Sequence, residues 1–131
     1  MAHILFVEDD KNIFETYQLE LLWQGYKITH ASDGVEALEK LKNFKPDLIL
    51  LDLSLPKKDG LEVLSEIKGN EKTKSIPVII LTNFATDQNI HKAFELGAVS
   101  FVAKYSFTPA ETAAKVKAIL NPPSPTELPK E

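Results

Sequence analysis

Four carboxylates, one hydroxyl and one ammonium stand where apolar runs of this chain end. Glu8-Asp9-Asp10 closes Ile4-Leu5-Phe6-Val7, and Asp52 closes Leu48-Ile49-Leu50-Leu51. Thr82 closes Val78-Ile79-Ile80-Leu81, and Lys104 follows Val99–Ala103. Carboxylates gathered in one crevice repel and raise one another's pKa unless a cation intervenes. A hard, oxygen-seeking ion meets that need. Mg2+ suits it best, because it takes one or two carboxylates and keeps waters to exchange for a phosphate. A hydroxyl and an ammonium beside a metal-bound carboxylate form an oxyanion clamp with no evident general base. Such a set fits phosphoryl transfer onto a carboxylate, where positioning and charge neutralisation do most of the catalysis. Asp10 is read as a helix N-cap rather than a ligand.

That chemistry requires elements that carry these ends to one rim. The strands are expected at Ile4–Val7, Tyr26–Ala31, Leu48–Leu51, Val78–Leu81 and Val99–Ala103. Three are unbroken apolar runs, as strands buried on both faces of a parallel sheet are. Tyr26-Lys27-Ile28-Thr29-His30 alternates instead, which marks a half-exposed edge. Between strands the period becomes helical. The stripes are Ile13, Tyr17 and Leu21, with Phe14 and Leu22 beside them; Ala37, Leu38, Leu41 and Phe44; Leu61, Leu64 and Ile67; Ile90, Ala93, Phe94 and Gly97; and Val116, Ile119 and Leu120. Asp33 with Glu36 and Asp59 with Glu62 have capping-box spacing, and Pro109 follows Thr108 as a first helical residue. Pro46 and Pro77 end the segments before the third and fourth strands.

Five β-α units imply an α/β, (βα)5, doubly wound parallel sheet. An edge position for the second strand favours the flavodoxin-like order 2-1-3-4-5. In that order the crevice at the carboxyl ends lies between strands one and three, where Glu8-Asp9-Asp10 meets Asp52. Residues 1–120 are expected to form this domain. Residues 121–131, rich in proline, read as an extended tail or a truncated linker, with no output module after residue 120.

At 131 residues there is room for one ordinary domain. The absence of cysteine excludes a disulfide framework and thiolate metal sites, and suits a cytoplasmic location. No signal peptide or membrane span is read. A net charge of −4 argues against direct nucleic-acid binding, which needs clustered Lys and Arg. His3, His30 and His91 share no metal-ligand spacing and are assigned no chemistry. Trp23 is expected to pack beside Leu19 and Leu22, and Tyr105 and Phe107 to form an exposed aromatic patch.

The runs Ile4 to Asp10, Asp47 to Pro56 with Asp59-Gly60, Pro77 to Thr82, and Gly97-Ala98 through Lys104 closely resemble response regulator receiver domains, over about residues 2–120. The resemblance implies that Asp52 accepts a phosphoryl group from a histidine kinase or phosphotransfer protein. It implies that Glu8 and Asp9, with Asp52 and the backbone carbonyl of Ser54, bind Mg2+. Thr82 and Lys104 would hold the phosphoryl oxygens. Thr82 and the aromatic Phe101 would form a switch. The face of the fourth helix, fifth strand and fifth helix would then meet a downstream protein target, or a second copy in a dimer. On this resemblance the chain would be a self-phosphorylating acceptor rather than a turnover enzyme.

Two positions depart from the family pattern. Tyr105 follows Lys104 where proline is usual, so a trans peptide is expected there. Asn83 follows Thr82 where a small residue is usual. Phe84 and Ser54 occupy positions that influence dephosphorylation in the family. A phosphoaspartate hydrolase of the haloacid-dehalogenase type would want a second aspartate where Ser54 stands. A flavin site would be repelled by Glu8-Asp9-Asp10-Lys11. The remaining alternative is a pseudo-receiver that binds partners without phosphorylation.

Overall fold

The computed structural model describes residues 2–83, 86–104 and 106–121. The proline-rich residues 122–131, Phe84 and Tyr105 lie outside them, and with them the expectations made for the tail and for the Lys104–Tyr105 peptide. The elements run β1 (His3–Val7), α1 (Lys11–Trp23), β2 (Lys27–Ala31), α2 (Gly34–Leu41), β3 (Leu48–Leu51), α3 (Gly60–Gly69), β4 (Val78–Thr82), α4 (Asp87–Glu95), β5 (Ser100–Ala103) and α5 (Pro109–Leu120). All four strand pairings are parallel, and the order is β2-β1-β3-β4-β5. The expected fold class and strand order are both present.

The unbroken apolar runs follow from a sheet covered twice. Successive side chains of a strand point to opposite faces. Leu5, Val7, Ile49, Leu51, Val78 and Ile80 therefore join Ala37, Val63, Leu64, Ile67 and Ala93 in one core. Ile4, Phe6, Leu48, Leu50, Ile79 and Leu81 join Phe14, Tyr17, Leu21, Ala113 and Val116 in the other. Helices α1 and α5 thus share one face of the sheet, and α2, α3 and α4 the opposite face. Among the described residues no helix is long and apolar enough to cross a membrane.

Several local expectations are corrected. Tyr26 is buried but precedes β2, and Val99 precedes β5 and is exposed. Phe44 lies beyond α2, and Gly97 lies beyond α4 in the left-handed region (φ 109°), where glycine carries no Cβ penalty. Trp23 is not packed: it is 85% exposed, with Leu19 at 72% and Leu22 at 48%. At 100° per residue, Trp23 falls about 200° from the buried Leu21, on the far side of the stripe that meets the sheet. Phe107 is half-buried against the α1–α5 core, with the Lys115 ammonium 5.2 Å above its ring, and Tyr105, expected beside it, lies outside the described residues.

The caps hold with altered partners. Asp33 accepts from the Glu36 N–H at 2.8 Å, but the Glu36 carboxylate turns to the Ser32 N–H at 2.6 Å instead of closing a box on Asp33. Asp59 caps α3 through the Leu61 N–H, and Thr108 with Glu111 forms a full box on α5. The Glu36 N–H holds the Asp33 carboxyl below its usual pKa, and the Ser32 N–H does the same for Glu36. Both native values lie below the unfolded ones. The stabilisation is therefore complete above the unfolded pKa, near 4, and is lost as pH falls through the depressed native value. Asp33→Ala is expected to cost about 1 kcal/mol at neutral pH. In urea denaturation that difference should narrow steadily below about pH 4; a gap of constant size across that range would assign it to something other than the ionised cap.

Candidate functional site

The site is built by the parallel ladder running one residue past each strand. The Glu8 N–H donates to the Ala31 carbonyl at 3.0 Å, and the Asp52 N–H to the Val7 carbonyl at 3.1 Å. These two bonds set Glu8 and Asp52 side by side at the carboxyl ends of β1 and β3, beside the point where strand order reverses. The Lys104 N–H donates to the Thr82 carbonyl at 2.9 Å, which ties the end of β5 to the end of β4. Thr82 is buried as the last residue of β4, opposite Ala103.

Glu8, Asp9 and Asp52 each offer a carboxylate oxygen, and the three lie within 4.8 Å of one another. Glu8 and Asp52 are buried, and Asp9 is open to solvent. Lys104 bridges the buried pair: its Nζ donates to Glu8 Oε1 at 2.5 Å and to Asp52 Oδ2 at 3.2 Å. The Ser54 N–H donates to Asp52 Oδ1 at 3.2 Å, so both oxygens of Asp52 have partners. Burial pushes the Glu8 carboxyl up to about 7, reinforced by the charge of Asp52 and opposed by the Lys104 hydrogen bond. Burial pulls Lys104 down, but the Glu8 hydrogen bond and the two carboxylates outweigh it and hold the ammonium above its ordinary value.

The adjoining loops explain how the acids stay in register. Asp10 caps α1 through the Ile13 N–H at 3.0 Å, as expected, and its own N–H donates to Glu8 Oε2 at 3.1 Å. Gly60 donates its N–H to the Leu53 carbonyl at 3.0 Å, which docks the start of α3 directly on the end of β3. Between them Lys57 takes a left-handed backbone (φ 66°), a conformation that costs a residue with a Cβ about 1 kcal/mol. Its ammonium pairs with Asp33 at 3.4 Å, outside the acidic trio. Phe101 is half-buried and meets the exposed Phe94 of α4 edge-on, with ring centroids 6.2 Å apart.

The sequence-expected residues Glu8, Asp9, Asp52 and Lys104 are brought together, and Thr82 stands at the same rim. Ser54 contributes an N–H to Asp52 at the same rim. One neighbour was missed. His30 donates from Nε2 to the Glu8 backbone carbonyl at 2.7 Å. Its signal was available: it stands one residue before the end of the strand paired with β1, in register with Phe6.

A family model described as the response regulator receiver domain matches residues 4–117. The chain belongs to that family. It is 43% identical over 119 residues to the alkaline phosphatase synthesis transcriptional regulatory protein PhoP of Bacillus subtilis (strain 168), covering 89% of this chain and 48% of that one. The chain spans about half the length of the curated relatives it matches. Among solved structures it is similar to the CheY-like receiver domain protein of Methanospirillum hungatei JF-1, at TM-score 0.85 and 27% identity over 92% of this chain and 94% of the other. It is also similar to the Mn(2+)-bound form of response regulator Rcp1, at TM-score 0.83 and 31% identity over 95% and 98%. Proteins of this class accept phosphoryl groups rather than turn over an external substrate.

Proposed function

We propose that this receiver domain is a metal-dependent phosphoacceptor whose acceptor atom is a carboxylate oxygen of Asp52. One observation carries the reading: a buried ammonium, Lys104, spans two buried carboxylates, with the third acid open to solvent beside them. All the donors in the trio are hard oxygens within reach of one ion, which fits Mg2+. Glu8, Asp9 and Asp52 would hold it, with the Ser54 carbonyl completing the protein's share. When bound, the cation neutralises charge on the phosphoryl oxygens.

The rest of the chemistry falls to side chains. An Asp52 carboxylate oxygen attacks phosphorus and forms an acyl phosphate, while the bond from phosphorus to the donor's leaving nitrogen or oxygen breaks. The donor is a phosphohistidine of a kinase or phosphotransfer protein, or a small acyl phosphate. Lys104 exchanges its bond to Asp52 for one to a transferred oxygen, and the Thr82 hydroxyl donates to another. Movement of Thr82 toward the phosphoryl group frees room behind it, which Phe101 fills by turning inward. The exposed Phe94 and Val99 beside it support the α4-β5-α5 face as the surface that meets a downstream protein or a second copy. The donor class agrees with a cytoplasmic place.

Intact mass after incubation with acetyl phosphate tests this reading. One phosphoryl adduct is expected with Mg2+ and none with EDTA. A folded chain that never acquires the adduct would be a pseudo-receiver, binding partners without phosphorylation.

A further inference from the structure

We propose that His30 is a positioning residue for the metal ligands, acting through the peptide that joins Glu8 to Asp9. This rests on the metal-dependent reading above. Both backbone polar groups of Glu8 are held by consecutive residues of β2: its N–H by the Ala31 carbonyl at 3.0 Å, and its carbonyl by His30 Nε2 at 2.7 Å. A carbonyl oxygen only accepts, so Nε2 must carry a proton. The imidazole plane is set by Phe14 of α1, which stacks on it with centroids 3.8 Å apart and 19° between planes. The strand behind it is tied by Lys40 of α2, whose ammonium donates to the His30 carbonyl and pairs with Glu36 at 3.5 Å.

The Glu8 carbonyl belongs to the peptide plane that also contains the Asp9 N–H and leads to the Asp9 Cα. Fixing that oxygen fixes the direction in which Asp9 leaves β1. Asp9 is the exposed member of the trio, and no hydrogen bond to its carboxylate is found among the described residues. Its neighbour Asp10 is tied on both sides, by its cap on Ile13 and by its N–H to Glu8 Oε2. Without the His30 donor the Glu8–Asp9 peptide can rotate between two anchored flanks, and the cation would have to reorder it on binding. Groups that orient a ligand from behind typically change metal affinity about 10-fold or more when removed.

Two variants separate the donor from the ring. His30→Phe keeps the stack on Phe14 and removes the N–H. His30→Gln keeps an N–H donor of similar reach and removes the ring. Mg2+ is titrated into each while the backbone amide resonances of Asp9 and Asp10 are followed by NMR, with urea denaturation alongside. Wild type should show a proton on His30 Nε2 in its imidazole nitrogen shifts. His30→Phe should bind Mg2+ about 10-fold more weakly at unchanged stability, and His30→Gln should recover most of that loss. Phosphorylation by acetyl phosphate should fall in His30→Phe at low Mg2+ and return at saturation. Equal Mg2+ affinity in wild type and His30→Phe overturns the proposal and leaves the metal reading intact. So does a glutamine variant as weak as phenylalanine. A wild type whose Asp9 and Asp10 resonances ignore Mg2+ removes the metal reading and this proposal with it.

Discussion

Asp52→Asn is expected to reduce the metal-dependent phosphoryl adduct to the level of the EDTA control while the domain stays folded. The amide keeps the size of the side chain and an acceptor oxygen for the Ser54 N–H, so the local hydrogen bond survives. It loses the nucleophilic anion, and an amide oxygen cannot leave a stable acyl phosphate. Lys104 loses one of its two carboxylates but keeps Glu8 at 2.5 Å. The charge of Asp52 also contributes to raising the Glu8 pKa, so the variant should lower it. Relief of that repulsion offsets the lost ion pair, and stability in urea should change by no more than about 1 kcal/mol. Intact mass and a urea curve check both halves. A persistent adduct in the variant would put the acceptor on another side chain.

Gly60→Ala is expected to cost about 3 kcal/mol, at the upper end of what overpacking does. An added Cβ would stand 2.3 Å from the Asp52 carbonyl oxygen and 2.5 Å from the Leu53 Cα. Both atoms are backbone, so no rotamer change relieves the clash; α3 must lift off the end of β3. That shift also moves Asp52, and Mg2+ affinity should fall with stability. Gly69 supplies the control. It ends α3 with open space around it, so Gly69→Ala should be neutral or stabilising by up to about 1 kcal/mol. Urea denaturation of the two variants gives the comparison. A Gly60→Ala protein within about 1 kcal/mol of wild type would mean that the β3–α3 junction yields far more readily than its close approach implies.

The cluster of acids, hydroxyl and ammonium at the carboxyl rim was legible before the fold because it depends on residue types at strand ends. Unbroken apolar runs said which strands lie inside a doubly covered sheet, and the residue after each run had to emerge at the carboxyl rim. Glu8, Asp52 and Thr82 follow such runs directly, Asp9 stands one residue further on, and Lys104 follows the strand candidate Val99–Ala103. The caps Asp10, Asp33, Asp59 and Thr108 were legible for a similar reason, since a cap acts over three residues and needs no distant partner.

What the tertiary structure alone decided concerns partners that meet across elements. Periodicity assigns residues to a helix face but cannot say whether anything covers that face. Trp23 therefore read as packed and is bare, and Phe107 read as exposed and is half-buried. Spacing could not reveal that Lys104 would bridge Glu8 and Asp52, two residues 44 apart, because that contact exists only when β1, β3 and β5 share one rim. Nor could it show His30 donating to the Glu8 carbonyl, which requires β2 to pair with β1 in one particular register. Chain-local physics chose the elements and their ends. Register and layer packing chose which of those ends touch, and the chemistry of this site depends on that contact.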